Sequence, residues 1–144
     1  MKRSDDLFVE SSALVAWVLW EARGKDVAAY LRATRRPWLS GLAVPECFRS
    51  LFRAASLDRI DAAYVRAARR RVSALAAGCT VVPIDADILE RAGQAFPVEP
   101  VRTLDAIHLA SLERARATSA QIALLSLDDR VRENAARLGV VVVP

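Results

Sequence analysis

The chain has 144 residues, 53% hydrophobic and 26% charged, with a formal net charge of +4. One ordinary soluble globular domain of roughly 100–200 residues accounts for that length, and a core of this size needs neither a disulfide framework nor a metal staple. The longest wholly apolar run, Ala13 to Trp20, is eight residues against the ~20 of a membrane span, so no membrane segment is expected.

Lys2 and Arg3 are followed by Asp5 and Asp6 rather than an apolar signal core, so export is not expected. Cys47 and Cys79 lack metal-ligand spacing, which fits a reducing cytoplasm. None of the five glycines lies in a phosphate-cradling cluster and no Gly-Lys-Ser/Thr is present, which excludes P-loop and dinucleotide-binding enzymes. Charge is uneven: residues 1–72 carry 14 basic against 8 acidic side chains, and residues 73–144 carry 7 against 9. Nineteen of the 21 basic residues are arginine, whose planar fork suits phosphate; with 27 alanines present, a GC-rich coding sequence accounts for the bias equally well.

In chain order, Leu7–Val9 reads as a strand ending at Glu10, with Ser11 and Ser12 capping a helix over Ala13–Trp20. Gly24 separates a second helix, Lys25–Ala33, which Pro37 and its neighbours end before a short strand at Trp38–Ser40. Pro45 opens a helix over Glu46–Ala55. Asp58–Ala77 has apolar residues at three-to-four spacing and reads as one long amphipathic helix closed by Gly78. Cys79–Ile84 is a strand, Asp85 caps a helix over Ala86–Ala95, Phe96–Arg102 is a loop and Leu104–Ala117 a helix. Strand Ile122–Leu125, helix Asp128–Leu138, Gly139 and strand Val140–Val143 complete the chain. Strands that alternate with helices and are apolar throughout predict a three-layer α/β fold, a parallel sheet covered on both faces.

Open parallel sheets bind ligands at the carboxyl ends of their strands. Four acidic residues leave those ends or open the adjoining helices: Glu10, Glu46, Asp105 and Asp128. Singly, each reads as a helix-start carboxylate favoured by capping and the helix dipole. Together they would repel one another unless cations neutralised them, and hard oxygen donors suit Mg²⁺ or Mn²⁺, which can activate water against a phosphodiester. Arg49 and Arg53, four apart beside Glu46, could meet a phosphate backbone or form a solvated face. His108 is expected to be a packing residue with one hydrogen bond, Asp129 a solvent-facing carboxylate, and Asp85 and Asp87 helix-start carboxylates. Trp17 and Trp20 are expected to pack in the core or at a dimer contact.

Three segments resemble the motifs of PIN-domain ribonucleases: Phe8–Val15 (FVESSALV), Arg102–Ala110 (RTLDAIHLA) and Leu124–Arg130 (LLSLDDR) followed by AARLGV. Leu42–Arg53, around Glu46, is similar to the family's second acidic motif. The likeness spans the chain, and its size suits the VapC-type toxins of bacterial toxin–antitoxin pairs. It implies a PIN-like fold over 1–144, a metal site of Glu46, Asp105 and Asp128 completed by Glu10, and Mg²⁺- or Mn²⁺-dependent cleavage of RNA by water. It further implies that Ser12 bonds the metal shell or the substrate phosphate, that the chain forms a homodimer, and that an antitoxin covers the acidic groove with a basic side chain. Glu10 stands where the family usually has Asp, and the alternative that follows is a catalytically impaired RNA- or partner-binding module. A phosphoacceptor receiver domain would need a lysine after a late strand, and the only lysines are Lys2 and Lys25.

Overall fold

A computed structural model describes residues 5–144, so the reading of Lys2 and Arg3 lies outside the described residues. The elements run β1 (Asp6–Val9), α1 (Ser11–Val18), α2 (Gly24–Ala33), β2 (Arg36–Ser40), α3 (Ala43–Ser56), α4 (Ala62–Ala77), β3 (Thr80–Val82), α5 (Ala86–Ala92), α6 (Thr103–Thr118), β4 (Ala123–Leu125), α7 (Asp129–Arg137) and β5 (Val141–Val143). All five strands are parallel, in the order β3-β2-β1-β4-β5.

The central strand shows why three layers form. Alternate side chains of a strand point to opposite faces. Leu7 and Val9 enter a core with Leu14, Val18, Cys47, Leu51 and Val72, under α1, α3 and α4. Phe8 enters the other, with Ile88, Leu109, Leu112 and Val131, under α5, α6 and α7. Leu7, Phe8 and Val9 are therefore all buried, as the unbroken apolar run predicts. The chain builds β2 and β3 on one side of β1 and then crosses to build β4 and β5 on the other. β1 and β4 thus flank the point where the strand order reverses, which is where open α/β sheets present a ligand crevice.

Several boundaries differ from the sequence reading, each for a local reason. The N-cap of α1 is Glu10 rather than Ser11 or Ser12: its carboxylate accepts from the Ser12 N–H at 3.1 Å, and both serines lie inside the helix. The long helix starts at Ala62, because the Asp61 carboxylate accepts from the Tyr64 N–H at 2.7 Å while Asp58 sits in the left-handed region (φ 55°). β3 is cut to three residues by Pro83, which has no N–H to give the ladder. Pro37 is tolerated inside β2 because it lies before Trp38, where pairing with β3 begins. Gly24 is required by close approach: a Cβ there would lie 2.5 Å from the Ala16 carbonyl, where α2 turns back on α1. Asp85 caps α5 as expected, accepting from the Ile88 N–H at 3.0 Å, and Asp87 and Asp129 are exposed.

Candidate active site

Glu10, Glu46, Asp105 and Asp128 line one open cleft of about 630 Å³ at the carboxyl edge of the sheet, together with Ser11, Ser12, Arg49, Arg53 and Arg102. Each carboxylate stands at a different helix start. Glu10 caps α1 and Asp128 caps α7, its Oδ1 accepting from the Val131 N–H at 2.9 Å. Glu46 and Asp105 lie in the first turns of α3 and α6, and neither side chain bonds a backbone N–H of its helix. Capping therefore explains two of the four and leaves Glu46 and Asp105 to be explained by the site.

Asp105 is buried (6% exposed) and accepts from Arg102 Nε at 2.8 Å. Arg102 Nη2 reaches Asp128 Oδ2 at 3.4 Å, so one exposed guanidinium links two carboxylates. Burial pushes the Asp105 carboxyl above its usual range; Arg102 opposes the rise, and the charges of Asp128 and Glu10 add to it. The same two aspartates raise the pKa of Arg102.

Glu10 is 2% exposed, and hydroxyls and an amide surround it. Its Oε1 accepts from Ser11 Oγ (2.7 Å) and the Ser12 N–H; its Oε2 accepts from Ser126 Oγ (2.8 Å) and Ser12 Oγ. Ser12 Oγ and Ser126 Oγ in turn accept from the Leu127 and Asp128 N–H groups at 2.9 and 3.1 Å. The extra methylene of glutamate thus carries the carboxylate from the end of β1 across to the loop after β4, where a network of serines meets it.

His108 departs most from the sequence expectation of a packing residue with one hydrogen bond. It is 1% exposed, its Nδ1 lies 2.8 Å from Ser40 Oγ, its Nε2 is hydrogen-bonded to Glu46 Oε2, and Ser11 Oγ lies 3.4 Å from the same nitrogen. A buried imidazole has two nitrogens to satisfy, so a single bond would leave one orphaned. Burial lowers the His108 pKa, but its bond to Glu46 and the charges of Glu10, Glu46 and Asp105 outweigh that and hold it above the ordinary value. Burial likewise raises Glu46, and the bond from His108 outweighs it, holding the carboxyl below its usual range. The sequence reading missed Ser126 and the polar links of His108. Three-residue spacing from Asp105 was the available signal for the histidine, and the place of Ser126 directly after the strand at Ile122–Leu125 was the signal for the serine.

The donor set is hard oxygen throughout, which fits Mg²⁺ or Mn²⁺. Burial, with the added charge of Asp128 and Glu10, raises Asp105, and a cationic side chain already stands between it and Asp128. Among the described residues, no three His, Cys, Asp or Glu side chains are gathered tightly enough to enclose an ion in this arrangement. The fit is therefore one of donor chemistry and placement. On the rim, Arg49 and Arg53 are exposed, and neither makes an ion pair with a described carboxylate.

Residues 7–137 match the PIN domain family. The chain is 36% identical over 138 residues to Ribonuclease VapC46 of Mycobacterium tuberculosis, with 95% of each protein covered. It is 31% identical over 139 residues to Ribonuclease VapC35 of the same species, again with 95% of each covered. Its fold is similar to the crystal structure of M. tuberculosis VapC20, a Sarcin-Ricin loop cleaving toxin, with a TM-score of 0.68, 18% identity and 94% and 97% of the two chains covered. With the parallel sheet, the carboxylate cleft at its reversal point and relatives alike over nearly the whole length, the chain belongs to the PIN-domain family.

Proposed function

We propose that this VapC-like ribonuclease is a divalent-metal-dependent endoribonuclease, a toxin that hydrolyses RNA phosphodiester bonds in the bacterial cytoplasm, and that residues 1–144 act as one PIN-like domain. The observation that carries the reading is the convergence of Glu46 and Asp105, which do not cap their helices, with Glu10 and Asp128 in one cleft. Glu46, Asp105 and Asp128 would hold Mg²⁺ or Mn²⁺, with Glu10 completing the site; bound there, such ions supply an activated water and neutralise the phosphodiester. In the hydrolysis, a water oxygen joins phosphorus as the bond to the leaving ribose oxygen breaks.

The chain's own residues bind and orient the RNA. Arg49 and Arg53 have guanidinium groups that pair with no described carboxylate and would take phosphates on either side of the scissile bond. Ser12 would bond the metal shell or the attacked phosphate. Arg102, now shared by Asp105 and Asp128, has a side chain that is 78% exposed and would turn toward substrate charge. A homodimer and a cognate antitoxin that sets a basic side chain in the cleft complete the proposal. Trp20, 60% exposed, offers apolar surface for such contacts.

A second reading, an RNA- or partner-binding module with impaired catalysis, draws on Glu10, whose two oxygens already take four hydrogen bonds from the protein. Purified protein incubated with RNA and Mg²⁺ or Mn²⁺ decides between them. Cleavage that EDTA abolishes supports the nuclease, and RNA binding without cleavage at any metal concentration supports the module.

A further inference from the structure

The carboxylate of Glu46 extends from a surface helix, and a glutamate side chain has enough rotatable bonds to leave the cleft for solvent. What fixes it here is buried. Nε2 of His108, on α6, is bonded to Glu46 Oε2, and Nδ1 of the same ring meets Ser40 Oγ at the end of β2 at 2.8 Å. Ser40 Oγ also accepts from the Leu42 N–H at 3.2 Å, in the turn that leads into α3. The hydroxyl, ring and carboxylate thus form a continuous row from β2 through α6 to α3.

The direction of donation follows from counting protons. Ser40 Oγ accepts from Leu42, and its own proton has one described acceptor, Nδ1 of His108. The Glu46 carboxylate can only accept, so Nε2 carries the hydrogen given to it, and in the neutral ring Nδ1 is the acceptor for the Ser40 hydroxyl. If the ring is doubly protonated, Nε2 still donates. In either state Glu46 receives a hydrogen bond from a side chain that is 1% exposed, with little room to rotate.

We propose that His108, oriented by Ser40, is a positioning residue that holds the Glu46 carboxylate in the cleft, where a divalent ion can draw on it. This rests on the metal-dependent reading above and adds to it a role for a buried residue outside the carboxylate set. Partners that orient a ligand without touching the metal commonly change metal affinity by 10–100-fold when removed.

The test is a double-mutant cycle read by Mn²⁺ binding, using calorimetry and the electron paramagnetic resonance of free Mn²⁺, on the full chain with circular dichroism as fold control. His108→Leu should weaken Mn²⁺ binding by about tenfold or more. His108→Gln, which retains a donor, should restore most of the loss. In a Glu46→Gln background, His108→Leu should change affinity less than twofold, since the residue it acts through is already gone. Ser40→Ala should weaken binding by a smaller factor in the same direction, and together with His108→Gln it keeps the test open if the leucine variant does not fold. Wild-type affinity in both His108→Leu and Ser40→Ala, or a full-sized loss from His108→Leu in the Glu46→Gln background, overturns the proposal while leaving the metal reading intact. A wild-type protein that binds no Mn²⁺ overturns the metal reading and the proposal with it.

Discussion

Arg102 donates from Nε to the buried carboxylate of Asp105 at 2.8 Å, a cation supplied by the chain itself at the most crowded point of the acidic cleft. The same guanidinium reaches Asp128. On the proposed metal-dependent reading, a divalent ion entering this cleft would compete with it for the same two carboxylates. Arg102→Ala should therefore raise Mn²⁺ affinity several-fold. Because the arginine is mostly exposed, its loss should cost less than ~1 kcal/mol of stability in EDTA. Calorimetric titration with Mn²⁺ and thermal melts in EDTA check the two halves separately.

Asp105→Asn should leave the fold intact and remove RNA cleavage, by roughly 100-fold or more, since it deletes a negative donor at nearly constant shape. Its effect on stability has a definite sign. The Asp105 carboxyl is raised in the folded state, so the folded protein holds its proton more tightly than the unfolded chain. This group therefore favours the fold more as pH falls through its folded pKa toward the ordinary value of 3.8, and the benefit is absent at neutral pH. Without metal, the stability of wild type relative to Asp105→Asn should rise on acidification, as measured by urea unfolding between about pH 7 and pH 3.5.

Glu10 tests whether the longer carboxylate works in the site or only holds it together. Glu10→Ala removes the cap of α1 and strands the hydroxyls of Ser11, Ser12 and Ser126, and should cost about 2–4 kcal/mol along with most cleavage. Glu10→Asp keeps a capping carboxylate and gives up the reach to Ser126. It should retain or increase cleavage and shift the Mn²⁺/Mg²⁺ preference. Metal titrations of RNA cleavage for both variants, with unfolding curves alongside, give the comparison. Wild-type cleavage by Glu10→Ala at every metal concentration would reduce Glu10 to a capping residue.

Arg49→Ala and Arg53→Ala should each weaken RNA binding and flatten its salt dependence, by about 0.7 in the log–log slope for each single-strand phosphate that is no longer neutralised. Fluorescence anisotropy of a labelled oligonucleotide over a range of salt concentrations measures both. Unchanged slopes would make these arginines a solvated face.

The parts of this structure legible in the sequence are those that local chemistry decides. Phe8 and its neighbours form an unbroken apolar run because both faces of β1 are covered, and Asp85 precedes its helix as a cap by the ordinary rule. The acidic positions were legible because strand ends and helix starts are marked by sequence and a parallel sheet puts those ends on one edge. Two local misreadings have local causes. Ser11 and Ser12 are good capping residues, but Glu10 outcompetes them by folding back on its own helix, and Asp61 rather than Asp58 opens α4. The polar interior of the site was not legible, because its partners are distant in sequence: His108 is 62 residues from Glu46 and 68 from Ser40, and Ser126 is 116 from Glu10. Only the crossing of the chain over β1 brings them together.

That crossing also sets when the cleft can be assembled. The cleft takes Glu10 from the first strand and Asp128 from beyond the fourth, on opposite sides of the reversal. During synthesis, a ribosome-bound chain that has released β1, β2 and β3 has two of its four carboxylates in place and an uncovered edge on β1 where β4 belongs. The cleft gains its fourth carboxylate only with Asp128, which follows β4, so its lining is assembled late in the folding of the sheet.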